Sequence, residues 1–235
     1  MKLYSLLFLL FSGHALCTLH NLVRLVDINS YMINVITKTM NEVDKRGFCN
    51  LKLPDYTLQI NENILLAPFK GDLRYTNGFV SSIQHVDIVQ STVQQDWRFN
   101  ASAASTHTVT VRGTMRLHDV AIGFDVIGHL QGDNKEYRYT VMYTHPLISY
   151  AFSIIRDVNT EAISVTVVGT VPRTIRMAEF RPKDITSDIF LQTFDPTNVS
   201  ASGMLAWAQE VFQPITLELV TKEIPFPRIC YNCRV

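Results

Sequence analysis

Val109-Thr110-Val111-Arg112-Gly113-Thr114-Met115-Arg116-Leu117 alternates apolar and polar residues without a break, and Val120-Ala121-Ile122-Gly123-Phe124-Asp125-Val126 resumes the alternation with its parity shifted by one. A period of two marks a β-strand with one buried face. The slip falls at His118-Asp119. A bulge or turn there would return both apolar sets to one face and add twist. This stretch therefore predicts strand structure on both sides of His118-Asp119, in a strongly curved sheet.

Strand signals continue on both sides of it. Phe69 to Tyr75 reads as a strand, Asn77-Gly78 as a turn, and Thr92 to Phe99 as another strand. Downstream, Gln131 to Asn134 forms a turn before Tyr137, Tyr139, Val141 and Tyr143; Ile154 to Arg156 and Ile163 to Val168 flank a turn at Asp157 to Thr160. Such short connections join antiparallel neighbours.

Helical signals bracket this β region. Between Asp27 and Arg46, residues Ile28, Met32, Ile36, Met40 and Val43 recur on one face, widened by Ile33 and Val35, with Asp27 or Asn29 as cap and Gly47 as terminator. A second helix is expected from Asp195-Pro196, carrying Met204, Ala208, Val211, Ile215 and Leu219, widened by Leu205, Trp207 and Phe212. Pro214 should kink it or divide it into two shorter helices. Two apolar helices and one curved sheet have to bury their faces against each other. The expected fold is α+β: a strongly curved antiparallel sheet wrapped around two long helices, in a single module over residues 18–235.

Residues 1–17 are expected to be a secretory signal peptide. Lys2 supplies the basic start, Leu3 to Phe11 the apolar run, and Gly13, Ala15 and Cys17 the small residues, with cleavage after Ala15 or after Cys17. The apolar run is too short to span a bilayer, so a secreted, extracellular protein without stable membrane insertion is expected. Lys and Arg total 21 against 21 Asp and Glu, which gives no electrostatic reason to bind nucleic acid. In a secreted chain Asn100-Ala101-Ser102 and Asn198-Val199-Ser200 become glycosylation sequons, at Asn100 and Asn198.

Motifs for chemistry are missing. The sequence contains no Gly-x-Ser-x-Gly elbow, phosphate-binding glycine loop, dinucleotide fingerprint or His-Glu-x-x-His pair, and His118-Asp119 lie on opposite faces if they belong to a strand. No enzyme activity, metal or cofactor is expected. Cys230-Tyr231-Asn232-Cys233 sits too near the C-terminus to open a redox helix. A disulfide from Cys49 to Cys230 or Cys233 is expected instead. That leaves one thiol over, permitting a disulfide-linked homodimer, unless Cys17 survives cleavage. Arg173, Arg176, Arg181 and Lys183 against Glu179 form either a solvated loop face or a contact for lipid headgroups or a partner.

Several segments resemble a known group. Lys52-Leu53-Pro54-Asp55-Tyr56 after the first helix, Lys70 to Tyr75 with Val80 to Ile83, Leu117-His118-Asp119-Val120 through Asp125-Val126, and the Asp195-Pro196 start are similar to mite group 7 allergens and their insect relatives. The C-terminal Cys-x-x-Cys departs from the mite pattern, and the N-terminal disulfide of juvenile-hormone carriers is not evident. The resemblance implies the tubular lipid-binding superfamily, which includes bactericidal permeability-increasing, juvenile-hormone-binding and takeout-like proteins. Its members hold lipids in an apolar tunnel or groove.

The function expected is carriage of a hydrophobic small molecule such as a fatty acid or terpenoid. Met32, Ile36 and Met40 of the first helix, Val111, Met115 and Phe124 of the sheet, and Trp207 and Val211 of the second helix are the expected ligand contacts. About 12 buried methylenes at ~0.8 kcal/mol each, less ~4 kcal/mol or more for association, give micromolar binding or modestly tighter. The alternatives are surface recognition of microbial lipids and a protein-interaction module with a fully packed core.

Overall fold

The computed structural model describes residues 23–47, 51–64, 67–99, 107–171 and 173–231. Strand β1 (Val23–Leu25) leads into helix α1 (Ile28–Lys45), followed by β2 (Tyr56–Ile64), β3 (Ala67–Phe99), β4 (His107–Leu130), β5 (Glu136–Asp157), β6 (Ile163–Thr170) and β7 (Arg176–Arg181). Helices α2 (Ile185–Thr193) and α3 (Thr197–Ala206), a π-helical segment (Trp207–Phe212), α4 (Gln213–Lys222) and β8 (Ile229–Tyr231) complete the order. The main sheet is antiparallel, ordered β2-β3-β4-β5-β6, with β7 also pairing with β5. β1 and β8 form a separate pair that ties the two ends of the described chain together.

The slip in alternation is present, but its cause differs from the one expected. Val109, Val111, Met115 and Leu117 are buried on odd positions, and Val120, Ile122, Phe124 and Val126 on even ones. Strand β5 switches at the same level, from Tyr139, Val141, Tyr143 and His145 to Ile148, Tyr150, Phe152 and Ile154. Leu117↔Ile148, His118↔Leu147 and Val120↔His145 keep one register, so no residue is inserted relative to β5. Asp119 instead takes a left-handed φ of 47°, and it stands across from Pro146, which has no N–H to offer the ladder. The true bulges lie in β3, with register shifts between Thr76 and Phe79, Val80 and Ser82, and Val89 and Gln94.

One of those shifts corrects the Asn77-Gly78 turn. Asn77 is left-handed, with φ 54°, yet β3 runs on through it for 33 residues. The pair makes a bulge because the Phe124 ring occupies the space above Gly78, where an added Cβ would lie 2.1 Å from a ring carbon. The two separate strands expected at Phe69 to Tyr75 and Thr92 to Phe99 are thus one bent strand. The turns at Gly132 and Asp157 are found where expected. Gly132 has φ 89°, and the Asp157 carboxylate accepts from the backbone of Asn159 and Thr160 at 2.8 Å each.

Helix α1 follows its sequence closely. The Asp27 side chain caps it by accepting from Ser30 N at 3.3 Å, Gly47 ends it in the left-handed region, and Met32, Val35, Ile36 and Val43 are buried. The Met32 side chain lies against Gly113 of β4, where an added Cβ would come within 2.4 Å of Met32 Cγ. The Met32 side chain can lie here only because Gly113 has no side chain.

The second long helix is not found as one α-helix. Two ten-residue α-helices flank six residues of π-helix. Pro214 explains the interruption, since it cannot donate to the Glu210 carbonyl and its ring would press on it. The wider turn closes with Gln213 N–H donating to Ala208 O. Thr216 Oγ1 donates to Phe212 O at 2.7 Å and meets Thr39 Oγ1 of α1 at 3.1 Å, and both threonines are fully buried. Helix α2 was not expected from the sequence. It is set by a reciprocal cap in which Asp184 Oδ1 accepts from Ser187 N and Ser187 Oγ accepts from Asp184 N, each at 2.8 Å.

Asp119 provides a test of the parity switch. Replacement by Gly, which adopts φ near 47° freely, should leave stability unchanged or raise it, whereas Asp119→Val should cost about 1–2 kcal/mol. Urea unfolding measures both, and equal stabilities would contradict the strain at this position.

Candidate functional site

The side chains nominated from the sequence are almost all core. Met32, Val111, Met115 and Phe124 have no exposed surface, and Ile36, Trp207 and Val211 retain 1%, 3% and 9%. Each packs against named neighbours. Phe124 stands edge-on to Tyr56 and Tyr75 and parallel to Tyr143. Trp207 Nε1 donates to the Lys52 carbonyl at 2.7 Å, which fastens the π-helical segment to the stretch before β2. Only Met40 is half-buried and borders open space.

That space is a groove of about 430 Å³ between the C-terminal half of α1 and the bent middle of β3. Met40 and Val43 of α1, Leu51 of the stretch before β2, Ile83 and Val86 of β3, and Phe212 of the π-helical segment give it an apolar lining, with Asn41, Asp44, Ser81 and Ser82 also facing it. Val86 is 37% exposed although it lies on a sheet. Its volume is within the ~300–1,000 Å³ typical of small-molecule sites, and an apolar wall with few polar groups is their usual make-up. Nothing in it resembles a catalytic constellation; the arrangement is suited to holding an apolar chain with a polar end.

Local causes place each wall. Ile83 and Val86 pair with Val120 and Leu117, which are buried on either side of the parity switch at Asp119, so both face the buried side although plain alternation would send positions three apart to opposite sides. The π-helical turn rotates Phe212, which has no exposed surface of its own, to the floor of the groove. Arg46 at the end of α1 bonds Glu42 at 2.8 Å and Glu218 of α4 at 2.9 Å, holding the two helices together at that end. Both carboxyls are kept below their ordinary range, first of all by this hydrogen bonding to Arg46. Of these walls, Ile83 and Val86 were missed because the parity change that β3 shares with β4 cannot be read from its own periodicity, and Leu51 was missed because it lies outside any periodic element.

Other sequence candidates resolve as follows. His118 Nε2 lies 3.1 Å from Asp87 Oδ2 on the neighbouring strand rather than pairing with Asp119. No group of three or more metal-ligating side chains gathers among the described residues. Asn198 is exposed at the start of α3, while Ser200 of the same sequon is buried with Oγ 2.9 Å from Tyr143 OH. Cys230 lies in β8 opposite Arg24. Residues 1–17, Asn100, Cys49 and Cys233 fall outside the described residues. No helix among the described residues is long and apolar enough to cross a membrane.

No protein-family description matches the chain, and no curated protein matches it. Among solved structures it is similar to a crystal structure of lipopolysaccharide binding protein, with a TM-score of 0.46 and 6% sequence identity. The match covers 86% of this chain and 40% of that one, so the chain spans well under half the length of that protein.

One buried ionisable group stands beside the aromatic half of the core. His145 is fully buried against Tyr143, and neither ring nitrogen makes a hydrogen bond of ordinary geometry. Burial holds its imidazole below the usual 6.5, an effect the Thr174 backbone offsets only in part. The unfolded chain therefore takes up this proton at a higher pH than the folded one, and stability falls as pH drops below about 6.5. His145→Phe, which suits the aromatic surroundings, should flatten the fall in Tm between about pH 7 and pH 5. An unchanged slope would show that His145 does not carry the dependence.

Proposed function

We propose that the chain is an extracellular binding protein for a hydrophobic small molecule with a polar end, such as a fatty acid or terpenoid, and performs no chemistry. The observation that carries this reading is the apolar groove between α1 and β3. Its location matters as well as its lining. The groove opens where helix meets sheet, so a bound chain extends the core rather than lying on the surface. The resemblance of Lys52 to Tyr56, Lys70 to Tyr75 and Leu117 to Val126 to mite group 7 allergens supports the same reading, within the tubular lipid-binding superfamily. Export through a signal peptide at residues 1–17, a C-terminal structural disulfide through Cys230, and a glycan on the exposed Asn198 belong to this account.

The packed interior favours a second reading. Seven of the eight nominated contacts are buried against protein, as they would be in a domain that acts only through protein contacts. The two readings separate at the groove. Displacement of an apolar fluorophore by fatty acids, terpenoids and phospholipids should give micromolar competition. Val86→Glu and Ile83→Glu should each weaken it roughly tenfold or more, through loss of apolar contact and burial of a charge. A fluorophore that binds neither parent nor variant, or binds both alike, contradicts the groove and leaves the packed-core reading.

A further inference from the structure

Two large apolar side chains stand further out of the surface than any others among the described residues: Met177 at 77% exposure and Ile185 at 82%. They lie on two elements that touch, strand β7 and helix α2. Met177 borders a depression together with Lys183 and with Ser187, Asp188 and Leu191 of α2, and Ile185 is the first residue of that helix.

The backbone at Met177 is shaped to hold it outward. Between Glu179↔Met142 and Arg176↔Thr144, strand β7 has two residues, Met177 and Ala178, where β5 has only Tyr143. This is a bulge, and Met177 takes its left-handed position at φ 50°. Glycine is the usual occupant of that position, and a bulge serves to re-aim a side chain. The chain thus carries a methionine where folding alone favours glycine.

Cations flank both residues along the chain, and Lys183 shares the depression beside Met177 with Glu179 and Asp188. Arg173, Arg176, Arg181 and Lys183 are exposed. Arg181 bonds Glu179 at 2.9 Å, whereas Arg176 and Lys183 form no ion pair among the described residues. The nearby carboxylates are partly engaged. Asp184 caps α2 and accepts from Tyr139 OH at 2.9 Å, Asp195 lies within electrostatic reach of Arg173, and Asp188 faces the same depression as Lys183.

We propose that this surface docks the protein onto a phospholipid bilayer containing anionic headgroups. Met177 and Ile185 insert at the boundary between headgroups and acyl chains, while Arg176 and Lys183 meet phosphates. Isolated apolar side chains with cations beside them in the chain match the layered chemistry of that boundary, apolar below and negative above. They fit poorly to a protein partner, whose interface would offer a broad apolar core.

The test uses the full chain and sedimentation with vesicles of phosphatidylcholine alone or mixed with phosphatidylglycerol. Met177→Gly relieves the left-handed backbone and Ile185→Gln sits at an exposed first helical position, so both variants should fold at least as well as the parent. Each should lower vesicle partitioning roughly tenfold, and the pair together should abolish it. Arg176→Gln with Lys183→Gln should lower it several-fold on the mixed vesicles only, and added salt should do the same. Parent protein that fails to sediment, or a folded Met177→Gly/Ile185→Gln variant that sediments like the parent, overturns the proposal. Fluorophore displacement from the groove should be unchanged in these variants, so failure of bilayer docking is distinguishable from failure of ligand binding.

Discussion

The contact of Met32 with Gly113 sets the distance between the long helix and the sheet. A single β-carbon at Gly113 would fall 2.4 Å from Met32 Cγ, closer than packed atoms approach, so any other residue there would displace the Met32 side chain that joins α1 to the sheet. The contact is fully buried, and truncating such a methionine typically costs about 2–5 kcal/mol. At the other half of the sheet Phe124 over Gly78 has the same form, a large side chain received by a glycine. With the helix drawn in this far, Val111, Met115 and Ile36 fill the interior themselves. Open apolar space is then confined to the margin, where α1 passes Met40 and β3 bends away.

The bends in the sheet determine where that margin lies. Strands β4 and β5 change parity together at Asp119 and Pro146, which keeps their register while the buried face continues. Strand β3 absorbs the resulting twist through three register shifts of its own. Ile83 and Val86 follow the parity switch through their β4 partners Val120 and Leu117, and both line the groove. On the opposing wall, Pro214 prevents a regular helix, and the π-helical turn it imposes supplies Phe212. Two local departures from ideal geometry, one in the sheet and one in a helix, thus supply walls to a space lined by apolar groups of α1, β3 and the π-helical segment. Departures of this kind often mark functional sites.

Much of the fold was legible in the sequence because it rests on periodicity. The α1 stripe, its Asp27 cap, the alternation in β4 with its slip, and the Gly132 and Asp157 turns all follow from patterns of two or 3.6 residues. What failed did so for tertiary reasons. Asn77-Gly78 has the chemistry of a hairpin turn, yet Phe124 packs over it and the strand continues. The stripe from Met204 to Leu219 is divided into two shorter helices about Pro214, one of the two outcomes expected, but the π-helical turn between them was not. Helix α2 is only nine residues long and its capping box uses Asp and Ser, so it offered little signal. The site was less legible than the fold. An apolar face identifies what is buried, and Met32 or Val111 met that criterion too well to remain available to a ligand. A partly exposed Val86 cannot be told from an ordinary surface valine until β3 is seen to bend.

The central claim is that apolar space between α1 and β3 is there to be filled by a ligand. Native mass spectrometry of the protein from its own source, compared with the Val86→Glu variant made in the same way, tests it most directly. The account predicts a discrete added mass of lipid size on the parent, released on denaturation and missing from the variant. A parent mass equal to the polypeptide with its covalent modifications, unchanged after incubation with fatty acids and terpenoids, would contradict it.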